Sequence, residues 1–198
     1  MKLLLSTHNE HKRREFERIL TAEAVLPVSL EALPDSVVLP PEDGDTFAAN
    51  ALGKARAAAV ATGRVSIADD SGIAAEALGG APGVRSARYA GEHASDDENL
   101  CKLIDEAPPG SGLEYVCAIA YVDPGSGHEQ LFEGRCAGRM AGQTRGDGGF
   151  GYDPVFLPLE VDDAAGRTMA ELSDAEKDAI SHRGRAVRAL LGWLEGGG

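Results

Sequence analysis

The sequence contains no long apolar run: after Lys2 only Leu3, Leu4 and Leu5 precede the polar Ser6, Thr7, His8 and Asn9. That is too short for the apolar region of a signal peptide and far too short to cross a bilayer, so a cytoplasmic protein without membrane association is expected. Cysteine is scarce. Cys101, Cys117 and Cys136 are odd in number and form no C-x-x-C pair, which argues against a disulfide framework or a metal–thiolate site and fits free thiols in a reducing compartment. Positive charge is also short, with 19 Lys and Arg against 32 Asp and Glu and a formal net charge of -13. Such a surface lacks the basic footprint of a nucleic-acid binder, so no nucleic-acid polymer is expected as a partner. A small phosphorylated ligand is compatible with this charge, because a local cluster of cations and backbone N–H groups reverses the sign within one site. The chain has no P-loop and no G-x-G-x-x-G opening a helix after a strand. It also lacks internal repeats and a linker, and 43% hydrophobic residues in 198 suffice for a core, so one domain over residues 1–198 is expected.

What is present alternates strand-like and helix-like patterns. Lys2 to Ser6 reads as a short buried strand, and from about Asn9 the stripe Phe16, Ile19 and Leu20 has helical spacing. Asp45 or Thr46 caps a second, alanine-rich helix that ends at Gly63, and Val65 to Ala68 reads as another buried strand. Glycine and proline from Gly72 to Gly91 predict irregular backbone. Ser95 or Asp96 caps a helix expected to bury Leu100, Leu103 and Ile104. Leu113 to Asp123 and Glu129 to Arg139 form a predicted hairpin, and Ala141 to Pro154 a glycine-rich loop. Ser173-Asp174-Ala175-Glu176 is a capping box, and Val187, Leu190, Leu191 and Leu194 give the last helix one apolar face.

Four stretches have the composition of chemistry. Thr7-His8-Asn9-Glu10-His11-Lys12 sits where a strand turns into a helix, so N–H groups, the positive helix end and the Lys12 charge together suit phosphate. Asp69 and Asp70, in Ala68-Asp69-Asp70-Ser71-Gly72, are expected at the carboxyl end of a buried strand, where ligands bind in open α/β sheets. Carboxylates there suit Mg²⁺, with Glu42 a further candidate ligand. In Gly146-Asp147-Gly148-Gly149-Phe150-Gly151-Tyr152-Asp153-Pro154 the glycines permit close approach, the aromatic rings suit a planar base, and Asp153 is an acceptor for it. Lys177 followed by Ser181-His182-Arg183-Gly184-Arg185 forms the most basic stretch, and the donors of Lys177, His182 and Arg183 suit phosphate or a base carbonyl.

Together and in this order, these stretches resemble the inosine triphosphate pyrophosphatase family. The resemblance rests on [ST]-x-N-x-x-K at Thr7, Asn9 and Lys12, on E-x-G-x-T-F-x-x-N-A-x-x-K-A from Glu42 to Ala55, and on A-D-D-S-G from Ala68. It continues through G-G-A-P-G-V-x-S-A-R-Y-A-G from Gly79, G-G-F-G-Y-D-P from Gly148 and E-K-x-A-I-S-H-R-G from Glu176. His8 stands where many relatives carry a small residue. The resemblance implies an α/β fold with a long mixed sheet flanked by helices, two lobes with a central substrate cleft, and a homodimer. It implies Mg²⁺-dependent hydrolysis of deaminated purine nucleoside triphosphates (ITP, dITP, XTP) to monophosphate and pyrophosphate. Thr7, His8, Asn9, Glu10, His11 and Lys12 then hold the triphosphate, Asp70 is the catalytic carboxylate and a metal ligand, and Glu42 assists with the metal. Lys54 and Asp69 support the site, while Ser71, Phe150, Gly151, Tyr152, Asp153, Lys177, His182 and Arg183 contact substrate. Alternative readings are a Maf-like pyrophosphatase for pyrimidine or modified nucleotides, and a nucleotide-binding module without turnover.

Overall fold

The computed structural model describes residues 1–24, 27–161 and 166–197. Its sheet has six strands in the order β2-β1-β3-β4-β5-β6, with β1 Lys2–Leu5, β2 Ser29–Ala32, β3 Ser66–Ala75, β4 Gly112–Asp123, β5 His128–Met140 and β6 Phe156–Pro158. β1 pairs in parallel with both β2 and β3, whereas β5 and β6 are antiparallel, so the sheet is mixed. β4 and β5 are neighbours joined by residues 124–127, as the hairpin reading expects. The helices are α1 Glu10–Glu23, α2 Phe47–Thr62, α3 Asp96–Glu106, α4 Asp174–Ile180 and α5 His182–Glu195.

The helix starts follow local chemistry. The Asn9 side chain accepts from the Lys12 N–H at the head of α1, Thr46 caps α2 and left-handed Gly63 ends it. Reciprocal capping boxes open α3 at Ser95 and Glu98 and α4 at Ser173 and Glu176.

Three expectations are corrected. Asp69 and Asp70 do not close a strand ending at Ala68: β3 runs on to Ala75, so both carboxylates are carried inside a ten-residue strand. The extended backbone therefore also takes in the first residues of the segment predicted to be irregular, and only after Ala75 do short 3₁₀ turns begin. Ile104 is 39% exposed, because the buried face of α3 is Asn99, Leu100 and Leu103, and Asn99 has taken the inner position through bonds to Ala87 O and Ala90 N. The edge strands β2 and β6 carry no alternation of their own; they are strands because β1 and β5 pair with them.

Contacts divide the chain into two compact units, each built from separated segments. The first comprises Met1–Asp70, Cys117–Gly134 and Arg183–Gly198; the second comprises Ser71–Val116 and Arg135–His182. In the first, α1 and α5 bury Phe16, Ile19, Leu20, Val187, Leu190 and Leu191 with Leu3, Leu5, Ile67 and Ile119. A second cluster there is almost all alanine: Ala51, Ala55 and Ala59 of α2 meet Ala68, Ala118 and Ala120. Side chains this small let the α2 axis approach the strands closely, so polar residues on the same face reach the strand beneath. The second unit has its own core, including Ile73, Leu103, Tyr115, Met140, Phe156 and Met169.

Candidate functional site

The first unit assembles a buried set of charges around β3. Asn50 and Lys54, four residues apart on α2, share the alanine face and are both buried. Asn50 Nδ2 donates to Asp70 Oδ2 at 2.8 Å, while its Oδ1 accepts from the Gly44 N–H at 2.8 Å. One amide thus ties the catalytic candidate to the loop that carries Glu42. Lys54 Nζ donates to Glu42 Oε1 and also feels Asp69 and Asp70. Lys12 Nζ, from the first turn of α1, lies 3.0 Å from Asp69 Oδ2. One turn further along, Glu15 receives Arg183 Nη1, and Arg183 Nη2 lies 3.3 Å from Asp69 Oδ2.

The two adjacent carboxylates are treated oppositely. Burial pushes Asp69 up, but the cations of Lys12, Arg183 and Lys54 outweigh it and hold the carboxyl well below its usual range. Asp70 ends above its usual range: burial dominates, and Glu42 adds to it against Lys54, Lys12 and Asn50. Asp69 is therefore a fixed anion, and Asp70 is the carboxylate with raised proton affinity. Lys54 is pulled down by burial, yet Asp69, Glu42 and Asp70 raise it overall, so it stays an ammonium. Arg183 is likewise held cationic against burial by Glu15 and Asp69. Burial, with the nearby charge of Asp69, pushes the Cys117 thiol up to about 12, which disfavours its thiolate form.

Of the remaining opening-turn residues, Thr7 Oγ1 accepts from the Asn9 N–H at 3.1 Å, whereas His8, Asn9, Glu10 and His11 are exposed. Glu10 is engaged by Arg13 at 2.7 Å.

The second unit assembles a different set. Asp153 Oδ2 accepts from Lys177 Nζ at 2.6 Å and from the Phe150 N–H at 2.9 Å, while Asp153 Oδ1 accepts from the Tyr115 hydroxyl at 3.0 Å. The Lys177 ammonium lies 5.0 Å from the Phe150 ring centroid. His182 stacks on Tyr115 with centroids 4.6 Å apart and planes 8° apart. Lys177 and His182 are buried, not spread along a solvated helix face. Tyr152 is buried too, and its hydroxyl donates to Ser86 O at 2.7 Å, so it walls this loop from within. Ser71 and Gly151 are half-buried. A Cβ on Gly72 would lie 2.3 Å from Ser86 Oγ and 2.7 Å from Gly83 O, which requires glycine after the D-D-S run.

A family profile described as Ham1 family matches residues 3–193. The chain belongs to the Ham1 family. It is 49% identical to the dITP/XTP pyrophosphatase of Mycolicibacterium paratuberculosis over 98% of this chain and 95% of that one. It is 46% identical to the dITP/XTP pyrophosphatase of Corynebacterium glutamicum, over 96% and 95%. Among solved structures, the HAM1 protein of Coxiella burnetii superposes with a TM-score of 0.85 at 36% identity, covering 98% of each chain. The nucleoside-triphosphatase / dITP/XTP pyrophosphatase of Mycobacterium abscessus gives 0.72 at 42% identity, covering 98% and 100%.

Three residues of this Ham1 protein that carry no motif role of their own in the sequence belong to one or other of these sets: Asn50 and Glu15 to the first, Tyr115 to the second. Asn50 lies in the matched E-x-G-x-T-F-x-x-N-A segment but reads as a helix surface residue until its face is known. Glu15 follows Lys12 by three residues, a spacing that places both on one side of α1. Tyr115 carries no sequence signal beyond its place in an apolar strand. Among the described residues no helix is long and apolar enough to cross a membrane.

Proposed function

We propose that this protein hydrolyses deaminated purine nucleoside triphosphates, dITP, XTP and ITP, to the monophosphate and pyrophosphate with Mg²⁺ as cofactor. The observation that carries the reading is the arrangement of the buried pair: Asp69 is held by Lys12 at 3.0 Å and Arg183 at 3.3 Å, whereas Asp70 is held at Oδ2 by Asn50 at 2.8 Å, and the proton affinities these surroundings drive apart fit Asp70 as the base. The names of the relatives support the substrate class.

The first set of side chains suits a triphosphate and a hard cation. Glu15, Glu42, Asp69 and Asp70 are four carboxylates against three cations, Lys12, Lys54 and Arg183, leaving these side chains one negative charge in excess. Mg²⁺ binds through one or two carboxylates plus substrate phosphates, which two acidic side chains suffice to supply. Asp70 and Glu42 would hold it. Bound there, it would offset phosphate charge and acidify a water molecule. Lys12 and Lys54 neutralise phosphate oxygens. Asp70, fixed by Asn50 at Oδ2, orients the attacking water and accepts its proton as the new P–O bond forms and the anhydride P–O bond breaks to release pyrophosphate.

The second set suits the base. Hypoxanthine and xanthine present a 6-carbonyl beside an N1–H, an acceptor next to a donor; adenine presents the reverse. Lys177 as donor and Asp153 as acceptor match the first edge and oppose the second, and buried groups left unmatched are costly. Phe150 supplies a ring face for stacking. Guanine shares the N1–H and 6-carbonyl edge, so its rejection requires a contact at position 2.

The test is product analysis with dITP, XTP, ITP, GTP and ATP, with and without Mg²⁺. Expected are monophosphate and pyrophosphate from the first three, with turnover abolished by chelation. Release of single orthophosphates, or preference for a pyrimidine triphosphate, would replace this reading by a phosphatase or a Maf-like one. Binding without turnover would make the chain a nucleotide sensor.

A further inference from the structure

Tyr115 lies on β4 and belongs to none of the stretches that carry substrate chemistry, yet its side chain touches two of them. Its hydroxyl donates to Asp153 Oδ1 at 3.0 Å, and its ring stacks on His182 at 4.6 Å. Phe156 packs against the same ring, with centroids 4.5 Å apart, and the side chain is buried. Ring and hydroxyl thus have separate duties. The ring is held by apolar contacts that survive without the hydroxyl; the hydroxyl makes a bond to a charged group inside the core.

Consider what that bond does to Asp153. Lys177 and the Phe150 N–H both approach Oδ2, at 2.6 and 2.9 Å. Held by that oxygen alone, the carboxylate would be free to swing about its Cβ–Cγ bond. The Tyr115 hydroxyl pins the other oxygen and fixes the plane. Of about four lone-pair sites on a carboxylate, three are then occupied, and the direction of the remaining one is defined.

We propose that Tyr115 is a positioning residue for base selection: by orienting the Asp153 carboxylate and the His182 ring, it aims the acceptor that distinguishes an N1–H base edge from adenine. This rests on the reading that Asp153 and Lys177 meet the base. Tyr115 itself touches no substrate atom. Its contribution is directional, so it shows as discrimination between bases and not as a general loss of turnover.

The test compares kcat/KM for dITP and dATP, with Mg²⁺, in the full-length wild type, Tyr115→Phe, Asp153→Asn and the double variant. Loss of one hydrogen bond to a charged group should lower dITP kcat/KM in Tyr115→Phe about tenfold or more, with dATP changed less than about twofold, so the ratio narrows. Thermal stability should fall by only a few degrees, since one buried hydrogen bond is lost while ring packing is retained. In the Asp153→Asn background the same substitution should add little, because the acceptor it serves has been altered. A Tyr115→Phe ratio equal to wild type while Asp153→Asn narrows it would overturn the proposal and leave the base-edge reading standing. Unchanged ratios in both single variants would overturn the base-edge reading and the proposal with it. Equal losses for dITP and dATP in Tyr115→Phe, accompanied by a larger fall in Tm, would reduce Tyr115 to a core residue and also overturn the proposal.

Discussion

Arg183 Nη2 lies 3.3 Å from Asp69 Oδ2, although 114 residues separate them in the chain. The other arm of the guanidinium is bonded to Glu15, and the side chain is 1% exposed. The planar fork that suits a base carbonyl or a phosphate is committed here to two buried carboxylates, one of which also holds Lys12. Removing one member of a buried ionic group costs about 3–5 kcal/mol, because the partners are left uncompensated.

Arg183→Ala is therefore expected to lower stability by about that amount, measured by denaturant unfolding, and to impair dITP and ATP turnover in equal proportion. Arg183→Lys should recover only part of either, since an ammonium does not span two carboxylates as a fork does. A loss confined to dITP would return Arg183 to the base.

Asp70→Asn should reduce kcat by about a hundredfold or more, the range associated with loss of a general base, yet stabilise the metal-free protein at neutral pH. The folded proton affinity of Asp70 is raised, so its contribution to stability is present at low pH and lost as pH rises through the folded pKa. Asparagine removes that penalty. The Tm difference between variant and wild type, measured in chelator, should be positive at pH 7 and shrink on acidification.

Asp69→Asn should behave with the opposite sign. Its folded pKa is lowered, so its contribution is present above the unfolded value of about 3.9 and disappears only as pH falls through the folded pKa. The variant should be less stable than wild type from pH 7 down to about pH 4, with the gap closing in stronger acid. A gap that closes already near neutrality would mean that Asp69 is not the anion serving Lys12 and Arg183.

Lys12→Ala should weaken every triphosphate alike, by about tenfold or more in kcat/KM, because the ammonium serves the part they share. Its 3.0 Å pairing with Asp69 aims it independently of any base. Selective loss of one base would contradict this.

Gly149→Ala tests the glycine loop. Gly149 has φ of 69°, and an added Cβ would lie 2.0 Å from Asp153 Oδ2, so alanine must displace the carboxylate or the loop. Stability should fall by more than about 1 kcal/mol, and dITP should lose its advantage over ATP. Thermal unfolding together with the two kcat/KM values gives the answer.

Much of this was legible in the residues themselves. Caps at Asn9, Thr46, Ser95 and Ser173 are chemistry between residues three apart, and each forms as the local sequence dictates. The alanine face of α2 and the apolar stripe of α5 follow from helical period alone. Ordered short motifs also led to the family and to nearly all of the charged residues now found buried.

What only the tertiary structure decided are the partnerships and their consequences for charge. No local rule makes Ala68-Asp69-Asp70-Ser71-Gly72 part of a continuing strand, since acidic residues disfavour strands until cations from α1, α2 and α5 surround them. Nor does spacing tell Asp69 from Asp70: they are adjacent and chemically identical, and they differ only because one meets Lys12 and Arg183 while the other meets Asn50 and the field of Glu42. Tyr115 is the extreme case. A continuously apolar strand asks only for a large side chain there, and its hydroxyl acquires meaning when folding sets it against Asp153, 38 residues away. Periodicity and capping act within a few residues and so can be read from sequence, whereas the field at a buried carboxylate is a sum over distant segments that exists only once the chain has packed.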